Sequence, residues 1–391
     1  MRGHIQKRFR SSYTIILELP RDPATGKRRQ QCISVKGTKK KAEKRLVELL
    51  LQVDTGEYVK PGKLTVADFL ERWLRDYVWP LLSPKTAEGY QDVVRKRLIP
   101  NFGQIPLTEL KPKHIQEFYA KALSSGRLDG KGGLNPNSVL RYHQCLHCAL
   151  ESAVKWGLVS RNVADAADPP RTNKHKVNML DEDGISVLQE AARATPYYAL
   201  FHCALWTGMR RSELLALRWS DVDLLMGQIS VIRSLHCLRG GSVIFRAPKS
   251  AKGRRTIALS PSTCLVLREH REQQEALCTM IGKRLEDSDL IFTQADGKPI
   301  LPDTVTHAWI KLAKKTKLGI RFHDLRHTHA SVLLKQGVHP KVVQERLGHA
   351  SIAITLDTYS HVAPGLQEAA PLKFEQAVLK QALKSPADTP C

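Results

Sequence analysis

The chain has 391 residues, enough for two or three domains and a sizeable buried core. Lys and Arg number 61 against 38 Asp and Glu, and the formal net charge of +23 points to a polyanionic partner, nucleic acid first, with RNA or an anionic membrane surface left open on charge alone. No run of about 18 apolar residues occurs, the basic first ten residues lead into no apolar segment, and the 8 Cys are scattered; this argues against a membrane-spanning helix, a secretory signal and a disulfide framework, and fits reduced thiols in a cytoplasm.

Residues 1–58 read as a small module. The run YTIILEL (13–19) alternates like a strand, residues 20–26 carry the Pro, Asp and Gly of a turn, and residues 28–35 return as a second strand. KKKAEKRLVELLL (39–51) then patterns as a helix ending near Gly56. A basic β-hairpin followed by one helix suits a β-ribbon entering a DNA groove; the blander alternative is a hairpin that only aids solubility.

Residues 64–165 pattern as four helices. Thr65 caps 66–78, Ser83 and Pro84 open 86–99, Leu110-Lys-Pro leads into 113–123 with Gly126 as its stop, and Asn137 and Ser138 cap a helix closed by Gly157. Lys85, Arg95, Lys96, Arg97 and Arg141 are candidate phosphate contacts, although any single one reads more readily as a solvated charge. His143, Cys145, His147 and Cys148 offer metal-type donors, but neighbouring positions on a helix diverge and cannot all reach one tetrahedral ion. A core helix with small buried thiols fits better, and no metal is expected there. A stiff, cationic linker follows at 166–178, marked by Asp168-Pro-Pro.

The third unit spans 179–385. Asp181 caps a helix through Ala192, and residues 197–207 form an apolar helix that stops at Gly208. Next stands Thr207-Gly-Met-Arg210-Arg-Ser-Glu213, in which Glu213 lies one turn beyond Arg210 and can orient it; Arg211 and Arg218 are the rivals of Arg210. Strands are expected at 229–234, 243–245 and 255–259, with Lys249 and Lys252 between the last two, and helices at 261–282 and 302–317. His323 and Arg326 stand three apart and share a helix face; Gly337 and Pro340 end one helix and start another; His349 follows at Leu347-Gly348-His349, and Tyr359 comes ten residues later. Arg grips phosphate oxygens, His donates to them or moves a proton, and a Tyr hydroxyl, weak at its usual pKa of roughly 10, could be activated by such a cluster. Residues 368–383 pattern as a terminal helix with AVLKQAL on one face.

These motifs resemble those of the tyrosine recombinases, the family of phage integrases. Its pattern is Thr-Gly-x-Arg-x-x-Glu, a Lys often within Pro-Lys-Thr, then His-x-x-Arg, Leu-Gly-His and a Tyr nine or ten residues on. Here the matching residues are Arg210, His323-Asp-Leu-Arg326, Leu347-Gly348-His349 and Tyr359; Lys249 fits the Lys place, with Ser250 where Thr is common, and Lys252 stays its rival. The helices of 64–165 resemble the family's core-binding domain, and the Asp22-Pro-Ala-Thr-Gly-Lys27 turn resembles that of an N-terminal arm-binding domain. The likeness is strong over 205–362 and looser before it.

The resemblance implies a mixed α/β, mainly helical fold: a β-hairpin/helix module, a helical core-binding domain, and a mainly α catalytic domain with a small antiparallel sheet. It implies an integrase that cleaves and rejoins double-stranded DNA through a 3′-phosphotyrosyl link. Tyr359 would be nucleophile, Arg210 and Arg326 would hold the phosphate, Lys249 would protonate the departing 5′ oxygen, His323 would take the Tyr proton or bond the phosphate, and His349 would donate to a phosphate oxygen. No cofactor is implied, neither ATP nor a divalent ion. The implied partners are core-type and arm-type DNA sites, three further copies in a tetramer, an excisionase and a host DNA-bending protein, all in the cytoplasm at the nucleoid. In the family a terminal helix often packs on a neighbouring protomer; packing on its own domain is the alternative here. Rival functions are a resolvase- or invertase-type recombinase, a type IB topoisomerase, and a DNA-binding regulator without chemistry.

Overall fold

The structure is a computed structural model that describes residues 3–9, 11–19, 26–54, 63–172, 178–248, 253–359, 371, 374 and 375. The chain divides into two compact units, Met1–Lys174 and His175–Cys391.

The first unit opens with a three-stranded antiparallel sheet: β1 (Gly3–Phe9), β2 (Ser12–Leu19) and β3 (Arg29–Lys36), in that order. The sequence reading had a two-stranded hairpin; β1 is the addition. Only Gly3 and Ile5 alternate with polar residues there, so its local signal is faint. What recruits it is the cross-strand row Ile5–Ile15–Ile33. Ile15 and Leu17 are buried together with Leu49 and Val53 of helix α1 (Lys39–Asp54). Period-2 burial on the sheet and period-3.6 burial on the helix thus close one small core.

The helical part holds α2 (Val66–Trp73), α3 (Pro84–Val93), α4 (Pro112–Ser125) and α5 (Pro136–Lys155). Thr65 and Asp68 form a capping box at α2, and the Ser83 side chain accepts from the Thr86 N–H at α3. α2 and α3 each run on through a π-helical turn, Leu74–Val78 and Val94–Leu98, which the helix patterning passed over. The cap of α5 is Asn135, followed by Pro136 at the first helical position, two residues earlier than expected. Trp73 anchors the core: its ring stacks on Tyr77 and Tyr90, and its indole N–H donates to Ser152 Oγ at 3.0 Å. The donors at 143–148 diverge as argued. Cys145 is buried, which pushes its thiol up to about 12; His143 meets the Tyr119 hydroxyl at 2.6 Å and His147 meets Asp165 at 2.8 Å.

The second unit begins with α6 (Glu182–Arg193), capped by Asp181, and α7 (Tyr198–Thr207), which ends on Gly208 in the left-handed region. A short helix α8 (Arg211–Leu214) follows. Strands β4 (Val222–Asp223), β5 (Gln228–Val231) and β8 (Arg255–Ala258) form one sheet, and β6 (Ser234–Cys237) pairs with β7 (Val243–Arg246) in a second. The single strand expected at 229–234 is therefore broken. Arg233 turns to the buried Asp221, Nη1 to Oδ2 at 2.7 Å, and the ladder resumes with a new partner. Helices α9 (Pro261–Met280) and α10 (Pro302–Thr316) complete the frame. Their core centres on Trp309, whose ring meets Phe201 and Phe322 edge-on and whose N–H donates to the Ile320 carbonyl at 3.0 Å. No described helix is long and apolar enough to cross a membrane. The helix expected at 368–383 falls, save for isolated residues, outside the described ones.

Candidate active site

Three short helices carry the motif residues: α11 (Asp324–Lys335), α12 (Pro340–Leu347) and α13 (Ile352–Tyr359). His323 stands at the N-terminal boundary of α11 without a side-chain capping bond, and Arg326 lies one turn in, almost fully buried. α12 stops because Gly348 takes the left-handed conformation, φ 67°. This throws His349 back beneath the helix end, where its N–H donates to the Gln344 carbonyl at 3.1 Å and the Gln344 side chain donates to its carbonyl at 2.7 Å.

Two arginines seize this turn. Arg326 donates from Nη2 to the Leu347 carbonyl at 2.6 Å and from Nη1 to the Gly208 carbonyl at 2.7 Å. Arg210 donates from Nη2 to the next carbonyl, Gly348, at 3.1 Å. Its other hand is held by Glu213: Nη1 to Oε1 at 2.7 Å, with the Arg210 backbone N–H to Oε2 at 2.9 Å. Gly208 is required for this closeness. At its φ of 64° an added Cβ would sit 2.7 Å from Leu347 Cδ2 and 2.8 Å from the His329 ring.

The rivals of Arg210 lie elsewhere in the fold. Arg211 reaches across to the Pro302 carbonyl and the Thr306 hydroxyl, fastening α8 to α10. Arg218 lies beyond the end of α8, bridging Leu290 through its backbone. The described structure therefore brings Arg210, His323, Arg326 and His349 together. Lys249 and Lys252 lie outside the described residues, and of Tyr359 only the backbone, at the end of α13, is described.

The electrostatics follow from five cationic or imidazole groups crowding one place. Burial, then the charges of Arg326 and Arg210, push His349 down to about 3. Burial and Arg326 push His323 down as well, and burial with His323 alongside takes His327 to about 4. All three rings are neutral near pH 7. His349 Nδ1 is tied to the buried Thr355 hydroxyl at 2.9 Å, and among the described residues Nε2 has no hydrogen-bond partner.

Arg255, Arg346 and Thr355 were missed by the sequence reading. Arg255 donates to both oxygens of Glu213; Arg346 donates to His329 Nε2 at 2.9 Å and to the Trp206 and Ala258 carbonyls. Nothing local distinguishes Arg255 from Arg254 or Arg346 from Lys341; only the tertiary partners do. Among the five candidate phosphate contacts of the first unit, Lys96, Arg97 and Arg141 line one concavity with Ser138 and Tyr142. Arg95 is held bidentately by Glu71 at 2.9 Å, and Lys85 pairs with Glu88. One group of the described residues, His147, Glu151 and Asp165, has a metal-type donor set; its atoms already pair, His147 with Asp165 and Glu151 with Asn162.

Residues 178–365 match the phage integrase family, and residues 65–123 match the phage integrase N-terminal SAM-like domain. The chain is 30% identical over 350 residues to an integrase of Streptomyces ambofaciens, covering 85% of this chain and 86% of that one. It is 26% identical over 289 residues to the ICEBs1 integrase of Bacillus subtilis, covering 73% and 76%. In fold it is similar to the Tn1549 transposon integrase solved with circular intermediate DNA, with a TM-score of 0.65 at 20% identity over 80% of this chain and 99% of that one. A lambda integrase tetramer solved on a Holliday junction gives a TM-score of 0.57 at 19% identity, over 91% and 94%. The chain belongs to the phage integrase family. It is an enzyme, a tyrosine-type site-specific DNA recombinase that serves the integration of mobile elements.

The depressed imidazoles make acid stability a test of the site. A His whose folded pKa lies below its unfolded value of 6.5 contributes stability that is complete above pH 6.5 and is lost as pH falls towards the folded pKa. We predict that the melting temperature of the free protein declines steadily from about pH 6.5 to pH 5, and that His349→Gln makes the decline shallower. Identical slopes for the two proteins would remove His349 from this account.

Proposed function

We propose that this recombinase exchanges strands by transesterification, with Tyr359 as nucleophile. One observation carries the reading: Arg210 and Arg326 hold consecutive carbonyls of the turn that bears His349, and the next helix ends on Tyr359. Two fixed guanidiniums and a neutral imidazole edge are the groups an anionic, five-coordinate phosphorus needs.

The Tyr359 oxygen bonds to phosphorus as its proton passes to neutral His323. The bond from phosphorus to the 5′ oxygen breaks, and that oxygen takes a proton from Lys249. The product is a 3′-phosphotyrosyl link and a free 5′ hydroxyl. His349, with Nδ1 accepting from Thr355, donates from Nε2 to a non-bridging oxygen. Fixed cations do the charge stabilisation that bound metals supply in many phosphoryl-transfer enzymes, so neither ATP nor a divalent ion enters the scheme. The 5′ hydroxyl of a partner strand then attacks the phosphotyrosine, and the energy of the link is conserved. Lambda integrase was solved as a tetramer on a Holliday junction; four copies of this chain, exchanging strands in pairs, are the corresponding proposal. Excisionase and a host DNA-bending protein are proposed as its directional partners in the cytoplasm.

The domains divide this work. Residues 64–165 place Lys96, Arg97 and Arg141 on backbone phosphates of the core site, and residues 179–385 carry the chemistry. The module 1–58 reads arm-type sites: the face of its sheet turned away from α1 carries His4, Gln6 and Arg8 on β1 and Gln30, Ser34 and Lys36 on β3.

Tyr359→Phe is expected to bind core DNA normally and never to attach to it covalently, on a nicked suicide substrate resolved by denaturing gel, with excess EDTA leaving the wild-type band intact. A covalent band from the variant would move the nucleophile elsewhere, Tyr197 and Tyr198 being next in line.

Removal of the module separates arm from core recognition. A chain starting near Gly62 is expected to cleave core DNA as before. On long attachment-site DNA with arm repeats, its salt slope of binding becomes shallower by about one unit per lost phosphate contact. Equal slopes on long and minimal duplexes, for full-length and truncated protein alike, would reduce the module to a basic extension.

A further inference from the structure

We propose that His147, Glu151 and Asp165 form a divalent-metal site, suited to zinc, that fastens the end of α5 to the turn that follows it. The site lies wholly in the first unit and takes no part in the cleavage chemistry above.

Donors packed within residues 143–148 diverge, because neighbouring positions on a helix point apart. His147 and Glu151 escape that limit. They stand one turn apart on α5, so their side chains leave the same face. Asp165 arrives from outside the helix, on the 3₁₀ turn Val163–Ala166, 18 positions beyond His147. One ligand atom from each of the three lies within 4.8 Å of the other two. Tetrahedral zinc, bound at about 2.0–2.2 Å, sets its ligands roughly 3.3 Å apart, so side-chain shifts of about an ångström close the set. One imidazole and two carboxylates balance the charge of a divalent ion, and water takes the fourth position.

A buried amide holds the donors in place from behind. Asn162 is 5% exposed. Its Nδ2 donates to Glu151 Oε1 at 3.0 Å and to the His147 carbonyl at 3.2 Å, and its Oδ1 accepts from the Ala164 N–H at 3.0 Å. The carboxylate of Glu151, the backbone of His147 and the backbone beside Asp165 therefore share one anchor, as the outer partners of a metal site require. His147 Nε2 and Asp165 Oδ1 already face each other at 2.8 Å, and an ion entering between them displaces the proton they share. His143, one turn earlier, backs the His147 ring at 5.9 Å between centroids and is itself held by the Tyr119 hydroxyl at 2.6 Å. The His147 and Asp165 side chains are 39% and 60% exposed, which gives ions a path from solvent. At that exposure the pair alone adds little stability; with an ion, the same residues cross-link α5 to the next turn.

The test uses full-length protein stripped with EDTA and then freed of the chelator. Zinc chloride is titrated by calorimetry and cobalt chloride by visible absorption. The expected result is one tight equivalent per chain, a tetrahedral cobalt spectrum without thiolate-to-cobalt charge transfer, and a melting temperature that rises with zinc. Asp165→Asn and Glu151→Gln keep the side-chain shape and remove one ligand charge. Each is expected to melt as the wild type does without metal, to bind zinc at least ~10-fold more weakly, and to lose the zinc-dependent rise. No saturable zinc binding, unchanged zinc affinity in either variant, or thiolate charge transfer from the first cobalt equivalent overturns the proposal. The ion is structural, so the persistence of the covalent band in EDTA expected above does not bear on it, and the two readings fail separately.

Discussion

A single carboxylate organises the cationic site. Glu213 is 3% exposed, and burial alone would raise its pKa; the hydrogen bonds and charge of Arg255, then the charge of Arg210, hold it below the ordinary range instead. Positive side chains repel one another and do not converge unaided. A buried anion between two of them offsets that repulsion and fixes both forks at once. The cost of desolvating Glu213 is met only because both its oxygens are fully paired, so loss of either arginine leaves a charge stranded. The stability of the domain and the geometry of the site are therefore linked through one residue that never needs to touch DNA.

Backbone does the rest. Arg326 is too buried to behave as a surface cation; it is held between two carbonyls, Gly208 at the end of one helix and Leu347 at the end of another. Both helices stop on a left-handed glycine, φ 64° and 67°. These two stops bring the ends of α7 and α12 within reach of one guanidinium. The same economy appears at Arg346, whose side chain ties α7 to β8 while its carbonyl receives Arg255.

Much of this was legible in the sequence where the controlling physics is local. The caps at Thr65, Ser83 and Asp181 and the stops at Gly208 and Gly348 are formed by residues within a turn of the helix end they serve, so spacing alone locates them. Glu213 was legible for the same reason, three positions from Arg210. What was not legible depends on residues distant in sequence. β1 is a strand because Ile15 and Ile33 supply a row for Ile5. The break after Val231 follows from Arg233 finding Asp221. Arg255 reaches Glu213 across 42 positions and Arg346 across 91, distances at which no periodicity carries information. The π-helical turns at Leu74–Val78 and Val94–Leu98 each run up to a proline two residues on, Pro80 and Pro100, whose missing N–H and ring bulk interrupt the i→i−4 ladder there, a signal the helix patterning passed over.

The most direct measurement of the organising role of Glu213 is single-turnover cleavage by Glu213→Gln, read beside non-covalent binding to core DNA. A neutral amide can accept from one guanidinium but cannot balance two, so Arg210 and Arg255 lose their common anchor. The predicted result is covalent-complex formation slowed by at least ~100-fold, about 2.7 kcal/mol of barrier, while binding to the duplex changes by less than about tenfold. A cleavage rate indistinguishable from wild type would contradict the account, because the cations would then hold their places without the anion between them.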